Sequence, residues 1–194
     1  QDSFVPTTLF KYHAACYLTH SALEAAKALR SELKIEPGDI EAVEITVNKG
    51  HFSVCNIQQP CTGLEAKFSL RGATAMVLSG IDTADIHQFN DAVVTQPAMV
   101  SLRDKISVVA FPEQGHPESV VRILLKSGAE HTKEWDVAIP ASDLDLQLCK
   151  LTDKFCSLAD PVLGEQRAER VVNLVASLQN LECIGDLCEA VRGS

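Results

Sequence analysis

ISVVAFPEQGHPESVVRILLKSGAEHTKEWDVAI, residues 106–139, holds three runs rich in β-branched residues, separated by turn chemistry. The runs are Ile106–Phe111, Ser119–Lys126 and His131–Ile139. PEQGHPE breaks the first from the second, and Ser127-Gly128 reads as a tight hairpin into the third. Upstream, Ile40–Asn48 alternates Val43, Ile45 and Val47 with Ala42, Glu44 and Thr46, the period of a half-buried strand. Hairpin-linked strands predict an antiparallel sheet.

Helical spacing flanks these strands. Ser21 and Glu24 read as an S-x-x-E capping box, with Ala22, Ala26, Leu29 and Leu33 behind it and Pro37-Gly38 as the stop. Thr62 and Glu65 read as a second box, opening a helix to about Ser79 with Gly80 just past its end. Residues 49–61 read as irregular, and 83–104 as short helices joined by turns. Leu144, Leu148, Leu151, Phe155 and Leu158 recur every three or four residues, with Ser142 as the N-cap. Ala168, Val171, Val172, Val175 and Leu178 make a further stripe, and Leu187, Cys188 and Val191 close a last short helix. These leucine stripes and Trp135 read as core. The order helix, strand, helices, three strands, helices predicts one α+β domain over residues 1–194. Its antiparallel sheet should carry helices packed on one face.

Composition narrows the class. Of 194 residues, 46% are hydrophobic and 22% charged, which excludes intrinsic disorder. Acidic residues outnumber basic ones, 26 to 17, for a formal net charge of −9, and no basic block occurs. Nucleic acid and anionic membranes are therefore not expected partners. No apolar run approaches the ~18 residues of a membrane span. The opening Gln1-Asp2-Ser3-Phe4 has neither the basic region nor the apolar core of a secretion signal. The seven cysteines are Cys16, Cys55, Cys61, Cys149, Cys156, Cys183 and Cys188. Their odd number and lack of CxxC spacing predict reduced thiols of a cytoplasmic protein, most of them buried, rather than a disulfide framework or zinc site.

Phosphate-cradling glycine loops and the HExxH, HxH and GxSxG motifs are absent, so catalogue motifs assign no chemistry. One local arrangement does more. Lys11, Cys16, Thr19 and His20 lead into the helix at Ser21. A helix N-terminus offers free N–H donors and partial positive charge, so a lysine and a histidine beside it suit a carboxylate or phosphate. A histidine there can also move protons near neutral pH. The plainer alternative makes Lys11 a solvated residue and His20 a packed one. Lys67 and Arg71, at i,i+4 on the second expected helix, either clamp an anion together or form a solvated basic stripe. Gly72 inside that helix implies close packing or space left for a ligand. His13, His51, His87, His116 and His131 read as isolated, on the surface or as satisfied structure.

Three segments carry a family resemblance. Phe10–Ala22 (FKYHAACYLTHSA) resembles the K-x-x-x-x-C-x-x-T-H-x-A segment of the MmgE/PrpD family. Glu65–Leu70 (EAKFSL) is similar to its second motif. Lys154-Phe155, Leu158-Ala159 and Pro161–Gly164 resemble its C-terminal helices. The family includes 2-methylcitrate dehydratase, cis-aconitate decarboxylase and iminodisuccinate epimerase. The resemblance covers nearly the whole chain but only the family's C-terminal α+β domain, without the larger N-terminal helical domain that supplies much of the catalytic machinery.

The resemblance implies a substrate cleft between those two domains. Lys11 and His20 would be catalytic there. Lys11, Cys16, Thr19, Lys67, Ser69 and Arg71 would line the substrate site. The substrate would be a small di- or tricarboxylate, such as 2-methylcitrate or cis-aconitate, undergoing dehydration or decarboxylation. No metal or organic cofactor is expected, because the substrate's own carboxylates supply the acidity. The partner would be the N-terminal helical domain, in a homodimer when full-length, and this chain alone would be nearly inactive. Arg71-Gly72 stands where some members have an aromatic residue, which leaves the reaction open. The alternatives are an epimerase of an amino-dicarboxylate and a non-catalytic binding or scaffolding module.

Overall fold

Val43, Ile45 and Val47 are buried on one side of their strand while Ala42, Glu44 and Thr46 stay half-exposed, because successive strand residues point to opposite faces. The computed structural model describes residues 8–112 and 118–192. The turn-rich segment 113–117, with His116, lies outside the described residues. The chain divides into two compact units, Gln1–Pro140 and Ala141–Ser194.

Among its described residues the first unit holds four strands: β1 (Ile40–Val47), β2 (Ile106–Ala110), β3 (Ser119–Leu125) and β4 (Glu130–Trp135). Their spatial order is β2-β1-β3-β4. β3 and β4 form the expected hairpin, with Gly128 at φ +87° in the turn and Leu125 N–H bonded to Ala129 O at 2.8 Å. The fold is α+β with a mostly antiparallel sheet, as the strand pattern predicts, and one pair departs from it. β1 and β2 run parallel, with Val43 opposite Ile106, while β1 and β3 run antiparallel, with Ile45 opposite Val121. Adjacency in sequence suggested that β2 would pair with β3. Instead β1, with four buried apolar side chains, takes a central place between them, where both of its edges are paired. β4 is left as an edge with Glu130, Thr132 and Glu134 exposed, which discourages pairing with other chains.

Two helices cover the buried side of the sheet. α1 (His20–Leu33) packs on β3, β4 and the later α4 (Leu70–Leu78), and α4 also reaches β2. Ala22, Ala25 and Ala26 line α1 beside Leu23 and Leu29, and small side chains let the helix approach closely. α4 is almost entirely buried, from Leu70 to Leu78. The opposite side of the sheet carries Arg122, 3.1 Å from Glu44 and 3.5 Å from Glu130. The remaining helices of this unit are short: α2 (Lys49–Val54), α3 (Gly63–Ala66), α5 (Asp91–Val94) and α6 (Pro97–Arg103).

Helix boundaries depart from the periodicity in four places. α1 starts at His20, and Ser21 and Glu24 do not form a capping box, because both side chains bond elsewhere. α1 ends at Leu33, where Lys34 takes a left-handed φ of 52°, ahead of Pro37-Gly38. Residues 49–54, read as irregular, form α2. The helix expected over 62–79 is two helices. The Thr62–Glu65 capping box is present, but α3 stops at Ala66 and Ser69 caps a new helix. That helix ends in a Schellman pair, Gly80 N–H to Val77 O and Ile81 N–H to Met76 O, both 3.0 Å, with Gly80 at φ +78° as expected.

The second unit contains α7 (Leu144–Leu163), α8 (Glu165–Ala176) and α9 (Gly185–Val191), with α8 packed on both others. Asp143, not Ser142, caps α7, accepting from Leu146 N–H at 2.9 Å. Gly164 at φ +79° turns the chain into α8. The leucine stripe read as core is largely surface here: Leu144, Leu148 and Leu158 are exposed, and within α7–α9 only Ala168, Val171 and Ala190 are buried. Within this unit α7 and α9 each find their main partner in α8, which leaves part of each stripe without neighbours there.

Candidate functional site

The loop before α1 is stitched to two distant segments. Ala14 N–H donates to Thr83 O at 2.7 Å, and Cys16 N–H to Lys67 O at 2.9 Å. Thr19 Oγ1 then donates to Cys16 O at 2.8 Å, closing the 3-10 turn Tyr17–Thr19 that feeds α1. These bonds aim two histidines inward. His13 and His20 are both buried, with rings edge-on and centroids 4.9 Å apart. The Tyr17 ring lies 5.4 Å from His20.

His13 is held from both sides. Its Nδ1 lies 2.7 Å from Thr83 Oγ1 and its Nε2 lies 3.0 Å from Glu24 Oε1. An ionised carboxylate only accepts, so Nε2 carries a proton. Nδ1 then accepts from the Thr83 hydroxyl when the ring is neutral and donates to it when charged. Two buried imidazoles thus share one cluster with a half-buried carboxylate and a half-buried phenol. Burial first, and Glu24 second, push Tyr12 above its ordinary range. Burial and then Glu118 and Asp136 do the same for Tyr17, which therefore stays a protonated donor, to Val137 O at 2.9 Å.

The first turn of α1 already engages a carboxylate of this chain. Ser21 Oγ donates to Glu118 Oε2 at 2.8 Å and accepts from Val137 N–H at 3.2 Å. Negative charge is favourable at that end of a helix.

The residues expected to form the site fall into distinct environments. Lys11 is exposed, whereas Thr19 and His20 are buried at the start of α1. Cys16 and Lys67 meet through their backbones, and Cys16 also meets Cys55, the C-cap of α2. The Lys67 ammonium sits 5.6 Å above the Phe89 ring, a cation–π placement. Ser69 is fully buried. Its hydroxyl donates to Ile57 O at 2.6 Å and accepts from Gly72 N–H at 2.9 Å, so both hydroxyls, Thr19 and Ser69, are engaged by backbone. Lys67 and Arg71 do not share a helix face. The break at Ser69 puts Lys67 at the end of α3 and Arg71 in the first turn of α4. Arg71 is half-exposed, yet its buried Nε has no hydrogen-bond partner among the described residues. Gly72 serves packing, since a Cβ there would stand 2.9 Å from Pro60 Cγ.

Sequence reasoning missed the partners of this cluster. Spacing alone makes Glu24 a helix cap and His13 an isolated residue, and Thr83 and Cys55 carry no motif. The available signal was the change of spacing at 13–19, too short and irregular for a strand or helix. Four of the seven thiols, Cys61, Cys149, Cys183 and Cys188, are exposed rather than buried.

A family model, that of the MmgE/PrpD C-terminal domain, matches residues 13–180. A search of curated proteins finds no match.

Proposed function

This chain belongs to the MmgE/PrpD family as its C-terminal domain, and from that premise we propose that it forms the substrate-cleft side of a lyase acting on di- or tricarboxylates. The match over residues 13–180 carries this reading. Lys11 is exposed beside the loop that leads to the buried His13–His20 cluster, which supports a division of labour. The lysine draws a substrate carboxylate, and the histidine end of the cluster exchanges a proton during loss of water or carbon dioxide. Lys67 and Arg71 supply further positive charge from the α3–α4 break. The remaining acid/base groups come from an N-terminal helical domain, and the assembled protein works as a cytoplasmic homodimer.

The test is a substrate panel. 2-Methylcitrate, cis-aconitate and iminodisuccinate are offered to this chain alone and to the protein that also carries the helical domain. We expect turnover of one of them only with the helical domain present. His20→Asn should then lower kcat by about 100-fold or more, the usual scale for a positioned acid or base. Comparable turnover by the chain alone, or none by the larger protein on any of the three, overturns the proposal. Iminodisuccinate as the accepted substrate replaces the lyase with an epimerase.

A further inference from the structure

We propose that Cys16 and Cys55 form an oxidative modification site, in which a hydroperoxide oxidises Cys16 and Cys55 closes an internal disulfide. The inference does not rest on the lyase reading.

Both cysteines are fixed to one short segment. Cys16 N–H bonds to Lys67 O at 2.9 Å, and Leu70 N–H bonds to Cys55 O at 2.9 Å, so the Lys67–Leu70 turn holds them on its two ends. A bridge between Asn56 and Ser69 adds a further tie. The side chains approach each other: Cys16 packs against the buried cluster that contains Cys55 and is near enough to raise its thiol. The two differ in access: Cys16 is partly exposed and Cys55 is fully buried.

That asymmetry assigns the roles. Burial, and then contact with Cys16, push the Cys55 thiol up to about 12, so it keeps its proton at neutral pH. A thiolate, not a thiol, attacks peroxide, and an oxidant from solvent reaches only Cys16. The Cys16 thiolate attacks one peroxide oxygen, the O–O bond breaks, and the departing hydroxide takes a proton to become water. Cys16 is left as a sulfenic acid. The Cys55 sulfur then attacks the Cys16 sulfur and the S–O bond breaks. The Cys55 proton leaves with that oxygen as a second water. Two thiols lose two electrons and the peroxide gains them. The product ties the loop before α1 to the end of α2, around the turn that carries Lys67 and Ser69. A dithiol reductant reverses it.

The test uses the whole chain, treated with hydrogen peroxide, blocked with an alkylating reagent, digested without reduction and mapped by mass spectrometry. The peptides containing Cys16 and Cys55 should appear joined, lighter by two hydrogens than their sum, and part again with dithiothreitol. They should join before any pair drawn from Cys61, Cys149, Cys183 and Cys188. In Cys55→Ala, dimedone should label Cys16, because the sulfenic acid has no partner. If that variant does not fold, dimedone added to the wild type during oxidation should label Cys16 at the expense of the joined pair. Peroxide modifying the exposed cysteines while Cys16 and Cys55 stay reduced overturns the proposal. So does a joined pair whose formation dimedone leaves unchanged.

Discussion

Thr83 gives His13 the hydrogen bond at its Nδ1, 2.7 Å long, and both residues are buried. Thr83→Val preserves the branched shape and removes the hydroxyl, so a ring nitrogen remains away from water without its partner. Stranding one buried polar atom costs about 1–3 kcal/mol. The urea midpoint should fall by that energy divided by the slope, with the slope itself unchanged. A midpoint within error of wild type would mean that the Thr83 hydroxyl does not hold the ring. Removing the carboxylate at Glu24 is a different experiment, because it also takes a charge from the Nε2 side and from Tyr12. At this scale the sequence was least legible. His13, Glu24 and Thr83 come from a loop, a helix and a turn, and no local period places such residues face to face. Cys55 and Cys16 meet for the same kind of reason, through backbone bonds to a third segment.

Elements were read best where one signal acted alone. The Thr62–Glu65 box is one case: Thr62 Oγ1 accepts from Glu65 N–H at 3.2 Å, and Glu65 Oε2 accepts from Cys61 and Thr62 N–H at 2.7 and 3.1 Å. Those backbone donors, Cys61 first, hold the Glu65 carboxyl below its ordinary value of 4.5. The folded state therefore binds this proton less readily than the unfolded one. The stabilisation is present above about pH 4.5 and is lost as pH falls through the lowered value. Glu65→Gln should be less stable than wild type at pH 7 and should lose less on acidification. Urea midpoints at pH 7 and pH 3 check this, and equal drops in both proteins would remove the cap's electrostatic role. β1, β3 and β4 were likewise legible from alternation and a glycine turn. The S-x-x-E at Ser21 misled because tertiary partners outbid the cap: Glu118 took Ser21 and His13 took Glu24. The break at Ser69 was hidden because continuing apolar residues mask a change of helix axis. The β1–β2 pairing was hidden because register between distant strands leaves no local trace.

On the scale of the molecule, burial is unevenly shared. The contiguous core runs from Ala15 to Ile123, with Leu125 and Trp135 packed against it, and every member belongs to the first unit. Stability of the sheet unit should therefore be its own property. A chain ending at Pro140 should still unfold in one cooperative transition, followed by circular dichroism in urea. Leu23 on α1 is fully buried in the core of the first unit, so Leu23→Ala should cost about 2–5 kcal/mol in that shortened chain and in the full one alike. Leu148 on α7 is 60% exposed. Leu148→Lys should change the full chain by no more than about 0.5 kcal/mol, the range of ordinary surface substitutions. A shortened chain without a cooperative transition would show that the three C-terminal helices contribute to the sheet's stability. A large penalty at Leu148 would show instead that its stripe is covered in solution, which its exposure alone does not predict. The two results separate a core that sustains itself from one that needs the rest of the chain.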